Sequence, residues 1–197
     1  SGRFAHVIVR WFRETHHATV LENWGVLWMW HSLVLLMASL VTHWVSKGQY
    51  ASGTFFVVIW TVMLTVWAGV FWWLRRRMGP VMFVERQIAH VWAATMCMVA
   101  FLYPLELFLG LEPLDLAPLL AVTCGMAFII KAGILSGSFY LYAIALFVCA
   151  FLMAIQTYAL KPDDCPMVLF GVTSAACFFF PGLKYYRRKR RLIETNH

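Results

Sequence analysis

The sequence predicts an all-α fold, a polytopic membrane helix bundle of about six transmembrane helices with both ends on the cytoplasmic side and an amphipathic helix at the amino-terminal end. Three observations predict it: 62% of the 197 residues are hydrophobic and 13% charged, apolar runs of span length recur along the chain, and basic residues gather at one set of ends of those runs. A mean hydropathy of +0.73 is more than a water-soluble domain of this size can hide. Lipid as the solvent also accounts for the aromatic content, 17% with ten Trp, because amphipathic rings favour the membrane interfaces. At about 20 residues per span, the chain has room for one membrane domain and little else.

The elements follow in order. Residues 1–22 form a juxtamembrane segment in which Arg3, Arg10 and Arg13 alternate with Phe4, Val7, Trp11 and Phe12, an amphipathic pattern able to lie on a membrane surface. Residues 23–183 form the six-helix transmembrane domain. Its first span covers about Trp24 to Trp44, and its second about Phe55 to Leu74, ending at Arg75, Arg76 and Arg77 and a Gly79-Pro80 turn. The third covers about Ile88 to Leu109 and contains Pro104, which removes one backbone bond. The fourth runs from about Leu116 to Ile130 and ends at Lys131, with a tight turn expected around Gly133 and Gly137. The fifth covers about Phe139 to Leu160, and Lys161 to Asp164 make a polar turn. The sixth runs from about Met167 to Phe180, stopped by Pro181-Gly182, and residues 184–197 form a basic cytoplasmic tail. Gly171 and Ala175 in this span are candidates for close helix contact.

Orientation follows from the positive-inside rule. With six alternating spans, Arg75, Arg76, Arg77, Lys131, Lys184, Arg187, Arg188, Lys189, Arg190 and Arg191 fall on one side. Glu112, Asp115, Asp163 and Asp164 fall on the other. An odd number of spans would separate the basic clusters. The net charge of +7 is therefore topological, and nucleic acid is not an expected partner. The five Cys have no paired spacing, so neither a disulfide framework nor a metal site is expected.

An ionisable group inside a span is a functional candidate by default, since burying it unpaired costs several kcal/mol. His31 and His90 sit on different spans one to two turns from the cytoplasmic face, the arrangement a bis-histidine haem pair requires. Neutral histidines also hydrogen-bond between packed helices, and that reading is favoured, so no cofactor is expected. Ser32, Ser39, His43 and Ser46 form a polar stripe at steps of seven, four and three; helix packing is favoured over ion conduction. Glu106 is a possible functional carboxylate, expected at the water-exposed outer surface because Pro104 and Gly110 put it near a helix end. Lys131 is expected to snorkel to the interface. No phosphate-binding glycine loop, nucleophile elbow or protein-kinase catalytic motif is present, so the chain is expected to be non-catalytic.

Four strings carry a resemblance: Arg75 to Pro80 (RRRMGP), Phe83 to Trp92 (FVERQIAHVW), Lys131 to Tyr140 (KAGILSGSFY) and Phe178 to Tyr186 (FFFPGLKYY). Together they resemble the carboxyl-terminal multi-pass membrane region of planctomycete serine/threonine protein kinases. The resemblance covers nearly the whole chain. It implies a bacterial cytoplasmic (inner) membrane location and an upstream cytoplasmic kinase domain joined near Arg3, in keeping with a chain that opens Ser1-Gly2 without Met. The expected role is then a membrane-anchoring, signal-sensing and dimerising module, with the lipid bilayer, a second copy and the kinase domain as partners. The alternatives are a small channel or transporter subunit using His31, His43, His90 and Glu106, or a haem- or quinone-binding membrane protein.

Overall fold

The computed structural model describes residues 18–48, 52–76, 83–159 and 165–195. They form six helices: α1 Ala18–Ser46, α2 Gly53–Arg76, α3 Phe83–Phe108, α4 Pro118–Ile134, α5 Phe139–Ala159 and α6 Pro166–Thr195. Most of the amphipathic lead-in, Arg77, the Gly79-Pro80 turn and the Lys161–Asp164 turn lie outside the described residues. So do the side chains of Arg75, Arg188, Lys189, Arg190 and Arg191.

Each helix runs antiparallel to the one before it. Trp24 meets Phe71 at one end of the α1–α2 pair, and Trp60 donates to Thr42 toward the other. Trp67 meets Trp92 and Trp60 meets Tyr103 between α2 and α3. Lys131 lies over Trp92, and Glu106 bonds Leu116, between α3 and the α4 side. Phe128 meets Phe139 and Gly125 meets Phe147 between α4 and α5, and Cys177 reaches the Tyr142 carbonyl between α5 and α6. The chain closes because α6 packs back along α1, its most extensive neighbour. Both ends of the bundle therefore emerge on the same side as Arg76.

Five helices are long and apolar enough to cross a membrane: Trp24–Ser46, Gly53–Trp73, Phe83–Phe108, Phe139–Tyr158 and Pro166–Arg187. The sixth, α4, has 17 residues and spans about 26 Å at 1.5 Å per residue. It must return the chain between α3 and α5, which run in the same direction. The outward faces identify the solvent. Val58, Val62 and Val66 form an exposed stripe on α2, and Leu141, Ile144, Val148, Phe151 and Ile155 form another on α5. Apolar stripes of this length are not left to water, and the chain is a multi-pass membrane protein.

The α1–α6 contact rests on small residues. A Cβ on Gly25 would stand 2.8 Å from the Gly182 carbonyl oxygen, and one on Gly182 would stand 2.8 Å from the Gly25 oxygen. A Cβ on Gly171 would meet Ser39 Cβ at 2.6 Å, which bears out Gly171 as a site of close helix contact. With no side chain between them the backbones approach directly, and packing over this area substitutes for a hydrophobic effect that lipid does not provide.

Two boundaries differ from expectation. Helix α6 does not stop at Pro181-Gly182 but continues to Thr195 with Pro181 inside it. An interior proline costs about 3 kcal/mol. Beyond it, however, Gly182 is seated on Gly25, and Tyr185 is buried with its ring 6.2 Å from that of Trp28, so tertiary contact holds the next turns helical. Gly133 belongs to α4, and the tight turn falls one step later, where Phe139 N–H bonds the Ser136 carbonyl and Tyr140 N–H the Gly137 carbonyl.

Candidate functional site

The centre of the bundle is set by one register repeated on several helices. On α4 the buried positions Leu120, Cys124, Phe128 and Lys131 follow steps of four, four and three, and the buried Leu135 that ends the helix is four further on. Trp24, Trp28, His31, Leu35, Ala38 and Thr42 do the same on α1, and Ile88, Trp92, Thr95, Val99, Leu102 and Glu106 on α3. Lys131 thus occupies a core position in an otherwise apolar stripe, and His31 one in a stripe whose only other polar member is Thr42.

Lys131 is completely buried, which corrects the expectation that it snorkels to the interface and marks topology. Four rings from four helices surround its Nζ: Trp92 of α3 at 3.8 Å from the ring centroid, Phe128 of α4 and Phe178 of α6 at 4.8 Å each, and Trp28 of α1 at 5.4 Å. Its side chain points down the register stripe toward Trp92 and is held away from lipid by α1 and α6. Nζ has no hydrogen-bond partner among the described residues. Ring faces attract an ammonium by about 2 kcal/mol when both are desolvated, so the aromatic box recovers part of the penalty of burying the charge.

His31 shares two of these rings. Its imidazole lies edge-on to Trp92 at 4.3 Å, to Phe178 at 4.6 Å and to Trp67 at 5.6 Å, and neither of its nitrogens has a partner among the described residues. The indole nitrogens of Trp28 and Trp92 are likewise buried, with no acceptor among the described residues. The centre is therefore rich in donors and poor in acceptors. A cavity of about 30 Å³ borders His31, Trp67, Cys124 and Phe170, room enough for a water molecule.

The other candidates are dispersed. His90 does not meet His31: it is exposed, with Nδ1 2.7 Å from the Arg86 carbonyl oxygen. Trp92, two residues or about 200° further round α3, is the side chain that turns inward. The bis-histidine haem pair accordingly has no common site. Among the described residues no group of three or more His, Cys, Asp or Glu is placed to hold a metal ion.

Ser32 and Ser39 of the polar stripe are buried, while His43 and Ser46 are half-buried. The three serine hydroxyls donate to their own helix, at Met29, Leu35 and His43 carbonyls. Ser39 in addition forms the seat for Gly171. His43 Nε2 lies 3.6 Å from Cys165 Sγ near the opposite end of the bundle from Arg76.

Glu106 is buried, not exposed at the outer surface as expected. Its Oε1 accepts the Leu116 N–H at 2.8 Å. The segment between α3 and α4 contains two left-handed residues, Gly110 (φ 67°) and Leu114 (φ 76°), and α4 has no side-chain cap of its own. The Glu106 carboxylate supplies the missing acceptor from the neighbouring helix and fixes the approach to α4. Of the basic residues whose side chains are described, Arg76, Lys184 and Arg187 are exposed at one end of the bundle; the Arg76 guanidinium lies 4.7 Å over Trp72.

Two features had no counterpart in the sequence reading. One is the aromatic box itself; the shared register of Trp28, Trp92, Phe128 and Lys131 is the signal that carries it. The other is the buried bond from Trp60 Nε1 to Thr42 Oγ1 at 3.0 Å, which ties α1 to α2 and leaves no mark in sequence spacing.

Set against models of protein families, curated proteins and solved structures, the chain matches none of them.

Proposed function

We propose that this chain is the membrane-anchoring and signal-transmitting module of a receptor-like serine/threonine protein kinase of a bacterial inner membrane, with no catalytic role of its own. What supports the reading most is that α1 begins and α6 ends on the side of the bundle that carries Arg76, Lys184 and Arg187. On the positive-inside rule that side is cytoplasmic, where ATP is available to a domain joined ahead of α1. The Gly25–Gly182 contact ties the helix nearest such a domain to the last helix of the bundle, so a rearrangement of α6 is felt at the join. The resemblance supplies the kinase. A second copy of the chain would bring two kinase domains together.

The test is made on the gene that encodes the chain. A kinase reading frame in phase upstream of Ser1 is expected. Deleting residues 18–195 from its product should release the kinase from the membrane fraction and alter autophosphorylation. Absence of a kinase frame, or a deleted product that stays in the membrane with unchanged autophosphorylation, would overturn the reading.

A further inference from the structure

On the lipid-facing side of the α1–α6 seam lies an apolar groove of about 610 Å³, walled by Met29, Trp30 and Leu33 of α1 and by Ala176, Phe179 and Phe180 of α6. It is far larger than a packing defect and is open along the bundle. Its two ends differ in charge. Going up α6 from the groove, Ala176, Phe180 and Arg187 follow steps of four and seven and so lie on one line of the helix, with Lys184 four residues beyond Phe180. Both cations are exposed, and Arg187 stands about 10 Å above Phe180 at 1.5 Å per residue. Trp30, in the wall, has its indole N–H buried with no acceptor among the described residues.

We propose that this groove is a specific site for one anionic glycerophospholipid, an acyl chain lying between Trp30 and Phe180 and the phosphate meeting Lys184 and Arg187. The lipid supplies what each part lacks: apolar chain for the groove and negative charge for the two cations. Charge also argues against a second copy as the occupant. All copies share one orientation in the membrane, so two copies meeting through this face would set Lys184 and Arg187 of each beside those of the other. The inference stands on the groove and its charges and does not depend on the kinase reading.

The test uses the full chain in nanodiscs of phosphatidylcholine doped with brominated-chain phosphatidylglycerol or with brominated-chain phosphatidylcholine. Bromine quenches nearby indoles, and the Trp30 contribution is the quenching lost in Trp30→Phe. Quenching of Trp30 is expected at lower doping with the phosphatidylglycerol. Neutralising Lys184→Gln and Arg187→Gln should reduce that preference about five-fold per charge removed. Ala176→Trp should fill the groove and abolish the Trp30 signal; should that variant fail to fold, the two charge variants, which alter exposed side chains, still decide the matter. Equal quenching by the two lipids, or an unchanged preference after both charges are removed, would overturn the proposal. So would cross-linking between copies through Leu33→Cys together with an absence of Trp30 quenching, which would give the groove to a second copy.

Discussion

Lys131 Nζ stands 3.8 Å from the centre of the Trp92 ring, fully buried and without a hydrogen-bond acceptor among the described residues. A lysine solvated by ring faces alone is held by less than it loses on leaving water. Lys131→Met keeps the length of the chain and removes that imbalance. It should raise stability by about 1–3 kcal/mol, the usual range for a buried polar group without a partner. Lys131→Ala should fall below Lys131→Met because it leaves a cavity. Unfolding in detergent measured for all three proteins checks this; a Met variant less stable than the parent would mean that the amine has an acceptor.

The seam between α1 and α6 gives a second expectation. Gly25→Ala places a methyl group 2.8 Å from a backbone oxygen that cannot move aside alone, so α1 and α6 must separate, at a cost of about 1–3 kcal/mol. Gly69, on α2, has nothing within 4 Å of an added Cβ. There the same substitution should stabilise by about 0.5–1 kcal/mol through helix propensity alone. Thermal unfolding of the two variants side by side reads the contrast, and opposite signs are the required outcome.

Glu106 holds the segment before α4. Glu106→Ala leaves the Leu116 N–H without its acceptor and should cost about 1–3 kcal/mol. Glu106→Gln keeps a carbonyl oxygen for that N–H and should recover most of the loss. A Gln variant as damaged as the Ala variant would show that charge, and not the bond to Leu116, is what this position supplies.

The antiparallel order also fixes what an impermeant thiol reagent reaches. In a cysteine-free background on intact cells, Gly48→Cys and Leu111→Cys should label from outside, and Arg76→Cys and Gly133→Cys, likewise at exposed positions, should label only after permeabilisation. Residues 48 and 133 labelling from the same side would break the up-and-down path.

Much of the fold was legible because each span announces itself by length and apolar content, and the starts of α5 and α6 fall within a residue of expectation. What was not legible is what covers a residue near a helix end. Lys131, Glu106 and Pro181-Gly182 all lie near a boundary in sequence, where exposure is the natural expectation. Each is buried by chain outside its own helix: Lys131 by α1 and α6, Glu106 by the segment that leads into α4, Gly182 by Gly25. The register did hold the answer for Lys131, which keeps step with Leu120, Cys124 and Phe128 and so shares their inward face. Its placement near the end of an apolar run is the weaker of the two signals, because run length depends on composition whereas register depends on packing.

His31 and His90 show the same limit from the other side. Similar depth in the membrane is readable along a sequence, but the direction a side chain faces around its helix is set by its neighbours. Trp92 takes the inward position on α3, and His90, two residues away, is left outside.

Because α1 and α6 are neighbours, the bundle is a closed circuit of helices cut at a single point. Joining the first helix to the last through a short linker and opening the chain at Gly137 would retain every helix–helix contact, in the order α5, α6, α1, α2, α3, α4. The point at which the circuit is cut is thus no requirement of the packing; it decides only on which side, and next to which helix, any attached domain is hung.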